Sequence, residues 1–564
     1  MVKLPKIYKL SASLALALAA ALVAAIKYPG FIHYNEQMQM FLLTPGYFFR
    51  AVSVPGGLAD WASEFLVQFF TSTAAGAVIV ALLLAGVQIL TSALCRRETP
   101  LSFVLSFLPA VAAGAFLTGN HAMLTAVVSL VCSLGAALAL RRAPEALRAA
   151  LVPIVYMIAG PLAIVYAAVL LLDCITSGKP ASGVCSLALA VLCPLGAALI
   201  WPYPLGRILA GIHYVREIGE PQTWIWLAAA FSLISICCDA LLKAPERVRV
   251  WPGAICIAAI LAAGLPVCTT ERAAETERTF LLDYLVRSGN WDAVIEATGP
   301  GQPANNYTRC ARNFALSCKG LLLDELFSVP QSGLDCLVLS DDSGLFPELL
   351  NSEIFYHMGM VSISQRYAFE ASSGTPDYRC SCRSYLQLAR TNLVNGYFRA
   401  AVKYIEPLTH TLKYRKEALE MMEMARSRKL SGECAAVHSI APRGFDTLYK
   451  QEDLDKVLGM MMAGNPRNSA ALQYMFSVIL LKKDLQKFGQ CMNAFKMKTP
   501  PRICREAAAL MPEGFAGIAG KQNMARFSKF RTDASSGKDA SYMRRTYGNT
   551  YWFYFFSRQE NEQK

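Results

Sequence analysis

Val250-Trp-Pro-Gly-Ala-Ile-Cys-Ile-Ala-Ala-Ile-Leu-Ala-Ala-Gly-Leu-Pro-Val267-Cys-Thr269-Thr-Glu-Arg-Ala-Ala-Glu-Thr-Glu-Arg278 is the stretch on which the reading of this chain turns. Up to Val267 it has no charged side chain and can cross a bilayer, because a hydrocarbon core of about 30 Å needs roughly 17–25 apolar residues in a helix. Past Thr269 it changes within a few residues to Glu271, Arg272, Glu275, Glu277 and Arg278, a composition suited to water.

Toward the N-terminus, seven more runs approach spanning length: Leu10–Ala25, Phe69–Leu94, Leu101–Leu117, Met123–Leu140, Leu151–Leu172, Val184–Trp201 and Trp224–Leu242. The expected fold class is therefore all-α, a polytopic bundle of about eight spans over residues 1–268 with an extracytoplasmic loop at about 29–68. Lys3, Lys6 and Lys9 precede the first run as in a signal peptide. No small-residue cleavage site precedes Tyr34–Gln39, so the run reads as a retained anchor.

The chain holds 54 Lys+Arg against 41 Asp+Glu, split as 16 against 10 up to residue 268 and 38 against 31 beyond. This mild basicity is ordinary for a membrane protein, and without a Lys/Arg stripe no nucleic-acid partner is expected. Eight crossings from a cytoplasmic N-terminus leave ten basic residues in inside loops: Lys3, Lys6, Lys9, Arg96, Arg97, Arg141, Arg142, Arg148, Arg207 and Arg216. Arg50, Lys179, Lys243, Arg247 and Arg249 fall outside. The balance points to a bacterial inner membrane with the N-terminus cytoplasmic, and marginally to a cytoplasmic C-terminal domain. The segment Lys243–Arg249 votes the other way, so the side of that domain stays open.

Nine of the 17 cysteines lie at or in apolar runs, and the other eight form no pair of CxxC units, so no metal or cofactor is expected. A large unpaired set favours a reducing compartment. Few ionisable residues interrupt the runs: Asp173 and Asp239 are terminal, and His121 sits in the hairpin Gly119-Asn-His121. Only Gly160-Pro161 and Pro194 suggest broken helices, which ranks transport and sensing below other functions.

The first outer loop, Tyr34-Asn-Glu-Gln-Met-Gln-Met-Phe-Leu-Leu-Thr-Pro-Gly-Tyr-Phe-Phe49 and Val54-Pro-Gly-Gly-Leu-Ala-Asp-Trp-Ala-Ser-Glu-Phe65, is rich in aromatic residues and reads as an interfacial helical cap. In a sharper reading Glu36 or Asp60 is a catalytic base, because membrane glycosyltransferases of the C type place an acidic base in this loop. Arg207, His213, Tyr214 and Arg216 would then pair an anionic head group such as a polyprenyl-phosphate-linked sugar. The charge count sets those arginines on the face opposite Glu36. The plainer reading makes them ordinary interfacial residues.

After Thr269 the apolar residues recur every three or four positions, as in helices with one buried face. Helix pairs are expected at Leu281–Ala297, Phe314–Phe327, Tyr385–Leu408 and Asn465–Phe488. These units resemble tetratricopeptide repeats, most closely at Leu388-Ala389, Gly396-Tyr397, Ala401 and Ile405, although the consensus Trp is missing. The expectation is a soluble α-solenoid over 269–520, then a basic and aromatic tail over 521–564 that caps the last repeat or docks on the membrane. No GxxxxGK, HExxH or GxSxG motif occurs, and Asp341-Asp342 reads as a solvated loop.

The Tyr34–Phe49 loop, Pro55-Gly-Gly57, the pairs around Tyr356–Glu370 and Tyr385–Leu408, Asn465–Phe488 and Thr550-Tyr-Trp-Phe-Tyr554 together resemble an uncharacterised bacterial family of multi-spanning membrane proteins with a C-terminal helical-repeat domain. The resemblance covers nearly the full length and implies architecture without an activity. The favoured function is a membrane-anchored scaffold whose repeat surface binds a protein partner in an envelope process. The alternative is transfer of a sugar from a polyprenyl phosphate.

Overall fold

A computed structural model describes residues 4–97, 99–217, 219–241, 250–340, 344–375, 380–442, 451–495, 497 and 499–557. The segment Lys243–Arg249 and the pair Asp341-Asp342 lie outside the described residues. Among the described residues all regular structure is helical, and the one isolated bridge is Ala122 with Val215. Two compact units form: Met1–Leu281 with His410–Tyr414, and Leu282–Thr409 with Arg415–Lys564.

The first unit contains, in chain order, α1 (Lys6–Lys27), α2 (Pro29–Gln37), α3 (Pro45–Val52), α4 (Gly57–Val67), α5 (Thr73–Leu94), α6 (Pro100–Leu105), α7 (Phe107–Leu117) and α8 (Leu124–Ala139). It continues with α9 (Glu145–Ala150), α10 (Val152–Ala159), α11 (Ala163–Thr176), α12 (Pro180–Ile200), α13 (Leu205–Ala210), α14 (Thr223–Leu241), α15 (Val250–Cys268) and the first turns of α16 (Glu271–Arg287). Among the described residues seven helical stretches are long and apolar enough to cross a membrane, and α8 is a shorter apolar helix. The protein is therefore a multi-pass membrane protein by length and composition. Some of the polar side chains inside the bundle pair with one another. Ser13 donates to Gln88 at 2.6 Å, and Gln88 donates to Ser106 at 2.9 Å, which ties α1, α5 and the α6–α7 junction.

One apolar run is not a span. Residues 152–176 have the length and composition of a single crossing, yet Arg148 Nη2 lies 2.9 Å from Asp173 Oδ2. A straight helix would set those positions about 37 Å apart at 1.5 Å per residue. The chain turns back at Gly160-Pro161, where Gly160 takes φ 63° and ψ −148° and frees α10 to pack against α11. The eight-crossing reading is corrected accordingly: the run Leu151–Leu172 is a helical hairpin whose ends share one side, because Gly160-Pro161 breaks the helix.

The bundle thus has two ends. At the basic end Arg96 and Arg148 both pair with Asp173, Arg141 reaches the Ala93 carbonyl, and Asp239 accepts from the backbone of Arg97 and Thr99. At the loop end the Gly56 N–H donates to Met157, Met123 to Tyr214, Arg216 to His121, and Trp201 Nε1 to Ser53. Thr276 donates to Asn120 there at 3.0 Å, so the chain leaves its last span at the loop end.

The second unit is a helical array whose largest core cluster joins residues 282–367 to residues 454–554. Leu345–His357, Val361–Ser373, Cys382–Val394 and Phe398–Leu408 each pack on the next helix in sequence, the last of them on Arg415–Ser427. Asn306–Cys318 packs on its neighbours in sequence and also on Ser469–Leu481, and Leu322–Glu325 packs on Arg502–Ala508, so the start of the array meets its later helices. Asp283 and Arg383 form a buried ion pair with both contacts at 2.7 Å. The aromatic tail joins this core rather than staying on its surface: Trp552 and Tyr551 are fully buried, and Tyr554 lies 5.1 Å from Phe327 between ring centroids.

Candidate functional site

The loop end of the first unit gathers most of its buried charge. The α1 helix stops at Tyr28, whose backbone leaves the helical region, and Pro29 opens α2. The free N–H groups of Gly30 and Phe31 at this helix start donate to Glu277 at 2.6 and 2.9 Å. Burial pushes the Glu277 carboxyl up to about 7, against the lowering effect of those two bonds.

The α2 helix is buried on nearly every face: Phe31, Ile32, His33, Tyr34, Glu36 and Gln37 are all shielded. His33 Nε2 lies 3.0 Å from the Thr73 hydroxyl. Glu36 accepts from the Tyr414 hydroxyl at 2.8 Å. A Thr44 cap starts α3, whose Phe49 is largely exposed, as in an interfacial helix. Gly56, at φ 77°, turns the chain into α4, and its backbone touches Gly160 so closely that a Cβ there would lie 3.3 Å from Gly160 Cα.

Asp60 and Glu64 follow one turn apart on α4 and are both buried. Asp60 accepts from the Thr125 hydroxyl at 2.9 Å, and Thr125 lies 2.6 Å from Ser63. The His213 Nδ1 atom stands 3.8 Å from Asp60. Glu64 takes the Tyr47 hydroxyl proton donor on its carboxylate and the Gln39 amide on its backbone carbonyl. Arg216, only 1 % exposed, donates to the Met38 carbonyl at 3.2 Å and lies over the Tyr34 ring, which stacks on Phe280.

The residues singled out by sequence therefore divide. Glu36, Asp60, His213 and Arg216 come to one end of the bundle, within the two loops that meet there. Arg207 does not join them. Its Nε donates to the Ile212 carbonyl at 3.2 Å, and it lines a pocket with Glu217, Glu220 and Trp226. The expectation that Arg216 lies opposite Glu36 is overturned, because the hairpin at Gly160 brings residues 201–222 back to the loop end.

Sequence reasoning passed over His33, Thr125 and Tyr414, and it set Glu36, Gln37, Asp60 and Glu64 facing the water layer, whereas all four are buried. Glu64 was legible as the helical neighbour of Asp60. Thr125 and Tyr414 come from segments that periodicity cannot align with α2 or α4. His121, Glu217 and Glu220 also come together, with one potential ligand atom of each within 4.8 Å of the others, and they are the group among the described residues that could hold a metal ion. His121 Nε2 and Glu217 lie 2.9 Å apart.

Chemically, the cluster offers buried carboxylates beside an imidazole and a fixed guanidinium at the end of a membrane bundle. Such groups are costly there and suit proton transfer to, or charge pairing with, a polar head group. A family model described as a family of unknown function (DUF6057) matches residues 5–558. No curated protein and no solved structure matches the chain.

Proposed function

The chain belongs to the DUF6057 family of unknown function, and from that premise we propose that it transfers a group from a lipid-linked anionic substrate at the loop end of its bundle. The narrower form is transfer of a sugar from a polyprenyl phosphate, with Glu36 or Asp60 as base on the acceptor and Arg216 pairing the phosphate. The observation that carries the reading is the convergence of Glu36, Asp60, Glu64, His213 and Arg216, all shielded from water except the partly exposed His213, on one end of the bundle. Buried charge in a membrane protein is retained at a cost of several kcal/mol, which a purely structural loop has no need to bear.

The proposed topology follows the charge. Lys6, Lys9, Arg96, Arg97, Arg141, Arg142, Arg148 and Lys179 belong to the basic end. The basic end is then cytoplasmic and the loop end extracytoplasmic. Thr269 follows the last span at the loop end, so the region after it, read as a repeat domain over 269–520 with its tail over 521–564, serves the extracytoplasmic side. The number of cysteines in that region argues for a reducing compartment, but most are buried and behave as small apolar residues, so charge outweighs them.

The helix pairs favour a second, compatible role: a tetratricopeptide-like surface that holds a protein partner or acceptor. Two variants separate the readings. In vesicles supplied with a polyprenyl-phosphate-linked sugar, E36Q or D60N should lower transfer by about 10²-fold or more while pull-down through the C-terminal region is unchanged. Transfer equal to the parent in both variants would sink the transferase reading and leave the scaffold.

A further inference from the structure

His121, Glu217 and Glu220 come from two loops of the first unit that backbone pairing holds side by side. Ala122 forms an antiparallel bridge with Val215, the Arg216 N–H donates to the His121 carbonyl at 2.8 Å, and the Met123 N–H donates to the Tyr214 carbonyl at 3.0 Å. This sets the hairpin between α7 and α8 against the loop before α14, and His121 Nε2 meets Glu217 at 2.9 Å. Gly219, at φ 95°, turns the chain between the two glutamates. One potential ligand atom of each of the three residues then lies within 4.8 Å of the others.

We propose that His121, Glu217 and Glu220 bind a divalent first-row transition ion of the zinc or manganese class. Two carboxylates match its charge, and the imidazole selects against calcium and magnesium, which prefer oxygen alone. Neighbouring ligands of a tetrahedral ion with bonds of 2.0–2.2 Å stand about 3.3–3.6 Å apart. The separations of 2.9 Å and at most 4.8 Å bracket that spacing, and the Glu217 side chain, 55 % exposed, can rotate to close the difference. Two further atoms point to a ligand. His121 Nδ1 and Gln222 Oε1 are shielded and have no hydrogen-bond partner among the described residues, and Gln222 lines the same pocket as Glu217 and Glu220. Buried polar atoms are nearly always paired, so such orphans mark the place of an ion or of water bound to it. The arginines of these loops are turned elsewhere, Arg207 to the Ile212 carbonyl and Arg216 to that of Met38. Bound there, the ion ties the α7–α8 hairpin to the loop before α14. The site is separate from the transfer reading, in which none of the three ligands has a part.

The full chain in mild detergent, stripped with a chelator and titrated with Zn²⁺ at neutral pH, should bind an ion that H121A and E217Q each weaken about ten-fold or more. E513Q, at an exposed carboxylate of the second unit, should bind as the parent does. The 17 cysteines offer a rival set of ligands, so X-ray absorption of the zinc-loaded parent is the second readout. It should show nitrogen and oxygen neighbours at about 2.0–2.2 Å. No binding by the parent, sulfur neighbours around the ion, parental affinity in E217Q, or tighter binding of Mg²⁺ than of Zn²⁺ would overturn the site. If H121A fails to fold, E217Q decides, because its side chain is exposed and its loss leaves the backbone pairing intact.

Discussion

Glu277 shows how one side chain acquires a task from its surroundings. In the sequence it is an ordinary acid early in a polar helix; in the structure it closes the start of α2 with two backbone bonds. Burial raises its carboxyl from 4.5 to about 7, so the folded state holds a proton that the unfolded state releases between those values. The contribution to stability is present below about 4.5 and is lost as the pH rises through about 7, by at most about 3 kcal/mol. Thermal melts should therefore fall from pH 5 to pH 8, and E277Q should flatten that trend; a flat parental profile would refute the assignment. Glu36 and Asp60 were legible as candidates because acids are rare in so apolar a region. Their partners were not, since Tyr414 and His213 are hundreds of residues from Glu36 and Asp60 or on the far side of several spans.

The helices themselves were largely written in hydropathy, and every apolar run forms helix. The hairpin of α10 and α11 was not. Gly160-Pro161 signalled a break, but a break can kink a span or reverse it, and only the Arg148–Asp173 pair shows reversal. Gly160 holds a backbone conformation that essentially only glycine adopts, and a Cβ would lie 3.3 Å from the Tyr214 hydroxyl. G160A should cost about 1–3 kcal/mol, read as a lowered melting temperature, whereas G196A on the open face of α12 should cost almost nothing or stabilise. Reporter fusions after Arg142 and after Gly178 should report the same side of the membrane. Opposite sides would restore the single crossing and remove the hairpin.

For the whole molecule, the proposed topology rests on the hairpin, which changes the parity of crossings that the apolar runs alone would give. With Cys380 as the sole remaining cysteine, an exposed thiol, a membrane-impermeant maleimide should label it in cells with a permeabilised outer membrane. Labelling only after lysis would return the C-terminal region to the cytoplasm and detach it from the loop-end cluster. The sequence by itself determined the helical class, the break at Thr269 and the scarcity of charge in the membrane half, because each follows from local composition and the cost of burying polar groups in hydrocarbon. Tertiary structure alone decided that the chain reverses at Gly160, that the loops at 29–68 and 201–222 share one end, and that the aromatic tail returns to the core beside Phe327. These are choices among arrangements with the same local hydropathy, separated only by long-range pairs such as Arg148 with Asp173 and by the packing of Gly56 on Gly160.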